Sequence, residues 1–286
     1  MTGEGRSQRG DRLTVIAADT ADDAARAAAA GAASLLRELL RKQPRVRALF
    51  AAALSQEAFL GRLRAEAGIA WSRIDAFQLD EYVGLPIGHP ASFGQWLRHR
   101  LLGAVDPGSV ALLNCAADNA EAECARYAGL LAGATTDIAF LGVGENGHLA
   151  FNDPAVADFD DPLMVKVVPL DSVSRHQQVH DGAFERVEQV PRQAITVTIP
   201  RIFTARHVAV LVTGARKAAA VAAMLDGPVS RDCPASFLRR HPDVRIYVDQ
   251  GALSNLPPNS PGPTPASPAT VGGEHGLCGE HGLWGA

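Results

Sequence analysis

Asp137-Ile138-Ala139-Phe140-Leu141-Gly142-Val143-Gly144-Glu145-Asn146-Gly147-His148 is the stretch that decides how this chain is read. A nearly continuous apolar run of strand length opens directly into three glycines within six residues. A strand without polar alternation is one buried on both faces, as in a parallel sheet covered by helices. Glycines at its end permit tight turns and close approach of backbone to a ligand.

The same grammar repeats outward from there. Short apolar bursts at Leu13–Ala17, Val46–Ala53, Ile74–Leu79, Val110–Leu113, Val165–Leu170, Ala194–Ile199, His207–Val212 and Arg245–Val248 read as strands. Helical patterns at Thr20–Arg41, Gln56–Ala67, Ser92–Leu102, Ala120–Leu131 and Ala215–Leu225 lie between them. Thr20 is placed to cap the first helix ahead of Asp22 and Asp23. Strand–helix alternation predicts an α/β fold with a mostly parallel sheet covered on both faces. Ligands bind beyond the carboxyl ends of the strands in such sheets. The places to search are therefore just after Leu79, just after Val143 and near Gly214.

Composition narrows the field. Of 286 residues, 47% are hydrophobic and 20% charged, which excludes wholesale disorder. The net charge of −4 lacks the basic excess of a nucleic-acid-binding protein, so no nucleic-acid partner is expected. The four cysteines, Cys115, Cys124, Cys233 and Cys278, match no C-x-x-C pattern and are too few for a disulfide scaffold, which fits a reducing cytoplasm. No secretory signal is visible at the start, and the Ala-rich stretch Ala21–Ala33 is too charged to span a bilayer, so no membrane partner is expected either. Residues 1–11 read as a frayed, disordered start and residues 12–252 as one domain. Residues 253–286 read as a Pro/Gly-rich disordered tail whose removal leaves folding and activity unchanged. That tail holds Gly-Glu-His-Gly-Leu twice, with His275, Cys278 and His281 as conceivable soft-metal ligands. No fourth ligand is visible, so the reading is a low-complexity extension and no metal or cofactor is expected.

Three constellations carry chemistry. In Phe77-Gln78-Leu79-Asp80-Glu81-Tyr82-Val83-Gly84 a strand runs into adjacent carboxylates. Alternation along a strand prevents both from facing one crevice, so Asp80 at the strand end is the base and Glu81 supports the loop. An acidic turn that merely caps the next element is the competing reading. In the glycine loop, His148 is an acid or base near neutral pH, and Asp153, five residues on, can orient it. The alternative is a structural loop histidine. The loop lacks G-x-G-x-x-G, which argues against a dinucleotide, and there is no Gly-Lys-Ser/Thr phosphate loop. In Val212-Thr213-Gly214-Ala215-Arg216-Lys217, cations open a helix, where they are unfavourable unless an anion is held there. Two solvated surface charges are the bland alternative.

With those residues in view, the chain resembles the glucosamine-6-phosphate deaminase/isomerase family, which shares its fold with the 6-phosphogluconolactonases. The resemblance runs from about Leu13 to Ala252. It is strongest in Asp80-Glu81-Tyr82-Val83-Gly84-Leu85-Pro86 with His89-Pro90, and in Gly142 through Pro154. Tyr82 stands where the lactonase branch carries Arg, so the deaminase branch is the closer match. The resemblance implies a Rossmann-like three-layer sandwich, a small-molecule sugar-phosphate substrate and metal-free aldose–ketose isomerisation with loss of ammonia. It implies Asp80 as the enolising base, His148 as the ring-opening group, and Asn146 and Asp153 beside that histidine. Lys217 corresponds to a phosphate-contacting lysine. Ser55, Gln56, Glu81, Gly144, Gly147, Arg175 and His180 complete the expected substrate- and phosphate-binding set. Family members are monomers or hexamers, so a homo-oligomer is left open.

The chain also departs from the family. Ala51-Ala52-Ala53-Leu54-Ser55-Gln56 lacks the glycine that brings backbone N–H groups onto a phosphate. His180 falls where an arginine is expected. Asp153 replaces a glutamate and is one methylene shorter. These changes bear on phosphate specificity more than on isomerisation. The alternatives are a sugar-lactone hydrolase of the 6-phosphogluconolactonase type and a non-catalytic sugar-phosphate-binding regulator. No role follows from the sequence for Arg175–Gln178 or for Cys233-Pro234-Ala235-Ser236.

Overall fold

The computed structural model describes residues 13–256 and 264–265. Its strands, in chain order, are β1 (Leu13–Ala18), β2 (Val46–Phe50), β3 (Ile74–Gln78), β4 (Asp80–Tyr82), β5 (Ser109–Ala111), β6 (Ile138–Leu141), β7 (Val165–Pro169), β8 (Gln193–Val197), β9 (His207–Val212), β10 (Val244–Asp249) and β11 (Thr264–Pro265). The helices are α1 (Ala21–Lys42), α2 (Glu57–Ala65), α3 (Phe93–Leu97), α4 (Gly103–Val105), α5 (Ala120–Ala132), α6 (Ser172–His180), α7 (Ile199–Phe203), α8 (Ala218–Asp226) and α9 (Gln250–Leu253).

Eight strands form one sheet in the order β11-β1-β10-β9-β6-β2-β3-β5, and the pairings within it are parallel. Period-two alternation sends each strand's side chains into two separate cores. Val46, Ala48 and Phe50 of β2 join α1 and α2 on one face, through Leu36, Leu60 and Leu63. Leu49 of β2 joins α5 and α8 on the other, through Tyr127, Leu131, Val221 and Met224. The three-layer α/β sandwich is thus the observed architecture. Thr20 caps α1, its side chain accepting from the Asp23 backbone N–H at 3.1 Å. Among the described residues no helix is long and apolar enough to cross a membrane.

The strand order places the crevice. From β2 the chain moves outward through β3 to β5, then returns to the other side of β2 for β6 and proceeds through β9 to β10. Order therefore reverses between β2 and β6, and a cleft opens beyond the carboxyl ends at such a switch point.

The second sheet was not expected. Strands β7 and β8 fall within or beside the runs 165–170 and 194–199, although Ile199 already opens α7, and they leave the parallel sheet and pair antiparallel, with β4, in the order β4-β8-β7. The cause lies at Leu79, where the chain leaves β3. Its N–H donates to the Phe50 carbonyl of the main sheet, and its own carbonyl accepts from Val197 of the small sheet, both at 3.0 Å. Leu79 therefore hinges the two sheets, and Asp80 is its next residue.

Residues 1–11 lie outside the described residues. In the stretch read as a tail, α9 ends at Leu253, and Thr264–Pro265 pair in parallel with Ile16 and Ala17. His275, Cys278 and His281 lie outside the described residues.

Candidate active site

The switch-point crevice is lined by Ala51–Ala53, Ser55 and Gln56 after β2, by Leu79 and Asp80 after β3, and by Gly142–Gly144 and His148 after β6. Phe93, Ala150, Phe151, Gln177 and Gln178 complete the wall. Five residues expected from sequence, Ser55, Gln56, Asp80, Gly144 and His148, thus meet at one place.

Asp80 is 6% exposed, and among the described residues its carboxylate has no hydrogen-bond donor. Burial, reinforced by the Glu81 charge, pushes its pKa well above the ordinary carboxylate value. A raised pKa makes the ionised carboxylate a stronger base, the property that proton abstraction from carbon calls for.

His148 is 8% exposed and fixed through Nδ1. That atom lies 2.9 Å from Asp153 Oδ1, 2.8 Å from Asn146 Oδ1 and 3.0 Å from Ser174 Oγ. Asn146 Nδ2 bridges Asp153 Oδ1 and Asp171 Oδ2, both at 3.0 Å, and Ser174 Oγ donates to Asp153 Oδ1. Two oxygen acceptors on Nδ1 keep the proton there, which leaves Nε2 as the ring's free base. Burial would raise the Asp153 pKa, but the hydrogen bond and charge of His148, with Asn146 and Ser174, bring it below its usual value. The shorter side chain at 153 therefore still reaches the imidazole.

The glycines allow this packing. A Cβ on residue 144 would lie 2.1 Å from His148 Cε1 and 2.3 Å from Nε2. Gly147 has φ +81°, and the space beside its Cα is filled by Cys233. Its carbonyl accepts from Ala235 N–H at 2.8 Å. Cys233–Ser236 is thus the floor of the glycine loop. Ala150, a crevice residue, holds φ +53°, a conformation that non-glycine residues adopt only under tertiary constraint.

Five of the expected substrate- and phosphate-binding residues, Glu81, Gly147, Arg175, His180 and Lys217, are not among those that line the crevice. Glu81 is fully buried and turned away: its carboxylate accepts from the backbone N–H groups of Tyr82, Phe93 and Gly94, from Ser92 Oγ and from Gln78 Nε2. It anchors the N-terminus of α3, which carries Phe93. Arg175 projects from α6 to the carbonyls of Val187 and Val190, at 2.5 and 3.2 Å. His180 is exposed at the end of the same helix. α6 rotates both of these side chains off the stripe that faces the site, which is formed by Ser174, Gln177 and Gln178.

Lys217 does not line the crevice but lies buried, 8% exposed, in the turn before α8. Burial lowers its pKa, while Asp181 and Glu145 favour its charge. Among the described residues its ammonium makes no hydrogen bond. Arg216 beside it is exposed and reaches Glu145 at 3.3 Å and Asp181 at 3.8 Å.

Sequence reading missed Ser174, Gln177 and Gln178. Gln177 Oε1 accepts from Glu145 N–H at 2.9 Å and so ties α6 to the glycine loop. The i, i+3, i+4 spacing of these three residues behind Asp171, whose side chain caps α6, was the available signal.

A doubly covered parallel sheet with a buried carboxylate and an oriented histidine at its switch point is the layout of an α/β enzyme site equipped for proton transfer. The sequence model of the glucosamine-6-phosphate isomerases and 6-phosphogluconolactonases matches residues 19–247, and the chain belongs to that family. A glucosamine-6-phosphate deaminase of Bacillus cereus (strain G9842) is 39% identical over 183 residues, covering 64% of this chain and 68% of the relative. One from Bacillus thuringiensis (strain Al Hakam) is 38% identical over the same length. Among solved structures, a monomeric glucosamine-6-phosphate deaminase superposes with a TM-score of 0.77 at 30% identity, over 85% of this chain and 99% of that one. The 6-phosphogluconolactonase of Trypanosoma brucei superposes at 0.71 over 87% of this chain and all of its own, but at 20% identity it speaks for the fold alone.

Proposed function

We propose that this chain is a glucosamine-6-phosphate deaminase, which converts its substrate to fructose 6-phosphate and ammonia. The observation that carries the reading is the meeting, in one crevice, of the unpartnered Asp80 carboxylate and a His148 whose Nδ1 is held by Asp153. Deaminases that are 38–39% identical point to the same reaction.

His148 Nε2 takes the proton of the anomeric hydroxyl and delivers it to the ring oxygen, which opens the ring. As the C1 oxygen takes a proton from the substrate's C2 ammonium, Asp80 removes the C2 proton, and the electrons move into an enolamine. Return of that proton to C1 leaves an imine at C2. Water hydrolyses the imine, so that ammonia departs and the ketose remains. Asp153 stabilises the imidazolium formed in the first step, as a buried, hydrogen-bonded anion does.

For the 6-phosphate, the Ser55 hydroxyl and the turn entering α2 supply donors at the crevice wall. Lys217 stands outside the crevice lining, and its buried ammonium, which makes no hydrogen bond among the described residues, is the cation that would have to reach the phosphate from the turn before α8. Incubation with glucosamine 6-phosphate, with ammonia and fructose 6-phosphate measured separately, tests the assignment; folded enzyme at high concentration that forms neither product would refute it.

A further inference from the structure

Two adjacent glutamines on α6 line the crevice, and their amides are committed differently. Gln177 has both ends occupied: Oε1 by Glu145 N–H at 2.9 Å and Nε2 by Asp181 Oδ2 at 3.3 Å. Gln178 has one end occupied: its Oε1 accepts from the Tyr82 hydroxyl at 2.6 Å. Among the described residues its Nε2 has no partner.

Tyr82 is fully buried and cannot itself touch a ligand. Its ring is held by Phe93 at 4.8 Å, Phe184 at 5.4 Å and Phe151 at 5.5 Å between centroids. Phe93 and Phe151 are themselves crevice walls. The hydroxyl therefore sits at a fixed point. Burial pushes the phenol pKa well up, so the proton stays on oxygen and is available to donate. Among the described residues that hydroxyl makes no other hydrogen bond. A reversed amide would leave the phenol proton without an acceptor, at the cost of a buried unsatisfied donor. The amide is thus locked with its NH2 free.

We propose that Gln178 is a specificity-determining contact whose amide NH2 donates to a hydroxyl or carbonyl oxygen of an open-chain sugar phosphate bound between Asp80 and His148, and that Tyr82 is its positioning residue. This rests on the crevice being a sugar-phosphate site. A polar group fixed before the ligand arrives discriminates strongly, because a ligand lacking the matching oxygen leaves it unpaired.

The test is a double-mutant cycle on the full chain with Y82F, Q178A and the double variant. Turnover of glucosamine 6-phosphate and calorimetric binding of glucitol 6-phosphate, an open-chain polyol phosphate, are both read, with melting temperature alongside. Q178A is expected to lower kcat/KM and probe affinity about tenfold, and Y82F about three- to tenfold. Y82F added to Q178A should then change either quantity by less than about twofold, since Tyr82 acts only through the amide. Additive losses, or an unchanged Q178A, overturn the proposal, as does failure of the wild type to bind the probe. A wild type without turnover that still binds the probe with a non-additive cycle supports the Tyr82–Gln178 pair and refutes the deaminase reading instead.

Discussion

Asp153 Oδ1 stands 2.9 Å from His148 Nδ1, inside a cluster that also holds Asn146 and Ser174. Asp153→Asn keeps the size but offers an amide where the histidine needs an acceptor. The imidazole should then lose its tautomer and its counter-charge together. A fall in kcat of about 10²- to 10⁴-fold with a nearly unchanged KM is expected, the range general acid–base catalysis supplies. Steady-state kinetics on the purified variant provides the check.

Asp80→Asn should remove turnover and yet not weaken the fold. The folded pKa of Asp80 is raised above its unfolded value. Its contribution to stability is therefore fully present below the unfolded pKa and is lost as pH rises through the folded pKa. Replacing it with a neutral amide should raise Tm relative to wild type at pH 7–8, with the difference shrinking towards pH 4. Thermal melts of both proteins across that range test the sign. The same raised pKa should place the acid limb of the kcat profile above the normal carboxylate range.

Gly144→Ala should be damaging for a steric reason. The new Cβ would fall among the His148 ring atoms. Overpacking of this kind costs about 1–3 kcal/mol and displaces the ring. Activity should drop together with denaturation midpoint. Gly61→Ala in α2, where a Cβ meets nothing within 4 Å, is the control and should be neutral or slightly stabilising.

Lys217→Met should raise KM far more than it lowers kcat. A charged hydrogen bond contributes roughly 1.5–3 kcal/mol, which corresponds to about 10- to 100-fold in KM. The lowered pKa of Lys217 adds a pH signature: KM of the wild type should climb at alkaline pH earlier than an ordinary lysine would dictate. The variant should lack that rise. KM for glucosamine 6-phosphate between pH 7 and 10 decides it.

Much of this site was legible in the sequence because strand ends announce themselves. The apolar run into Gly142 placed His148, and alternation separated Asp80 from Glu81. Alternation did not say that Glu81 would be consumed by five donors, because those come from Ser92–Gly94 at the start of α3 and from Gln78 and Tyr82. The small antiparallel sheet was hidden for a related reason. Lys166 and Thr196 are polar breaks in β7 and β8, but short strands carry little pattern, and only pairing reveals that Leu79 passes the chain from one sheet to the other. Arg175 and His180 were misplaced because residues 172–180 were not read as a helix. Once the helix is drawn, Ser174, Gln177 and Gln178 fall on one stripe and the two basic residues leave it.

The deaminase assignment is tested most directly by one paired assay. Wild type and Asp80→Asn are incubated with glucosamine 6-phosphate, and ammonia and fructose 6-phosphate are quantified independently. The account predicts equimolar products from the wild type and neither from the folded variant. Absence of both products from folded wild type, or undiminished product formation by Asp80→Asn, would contradict it.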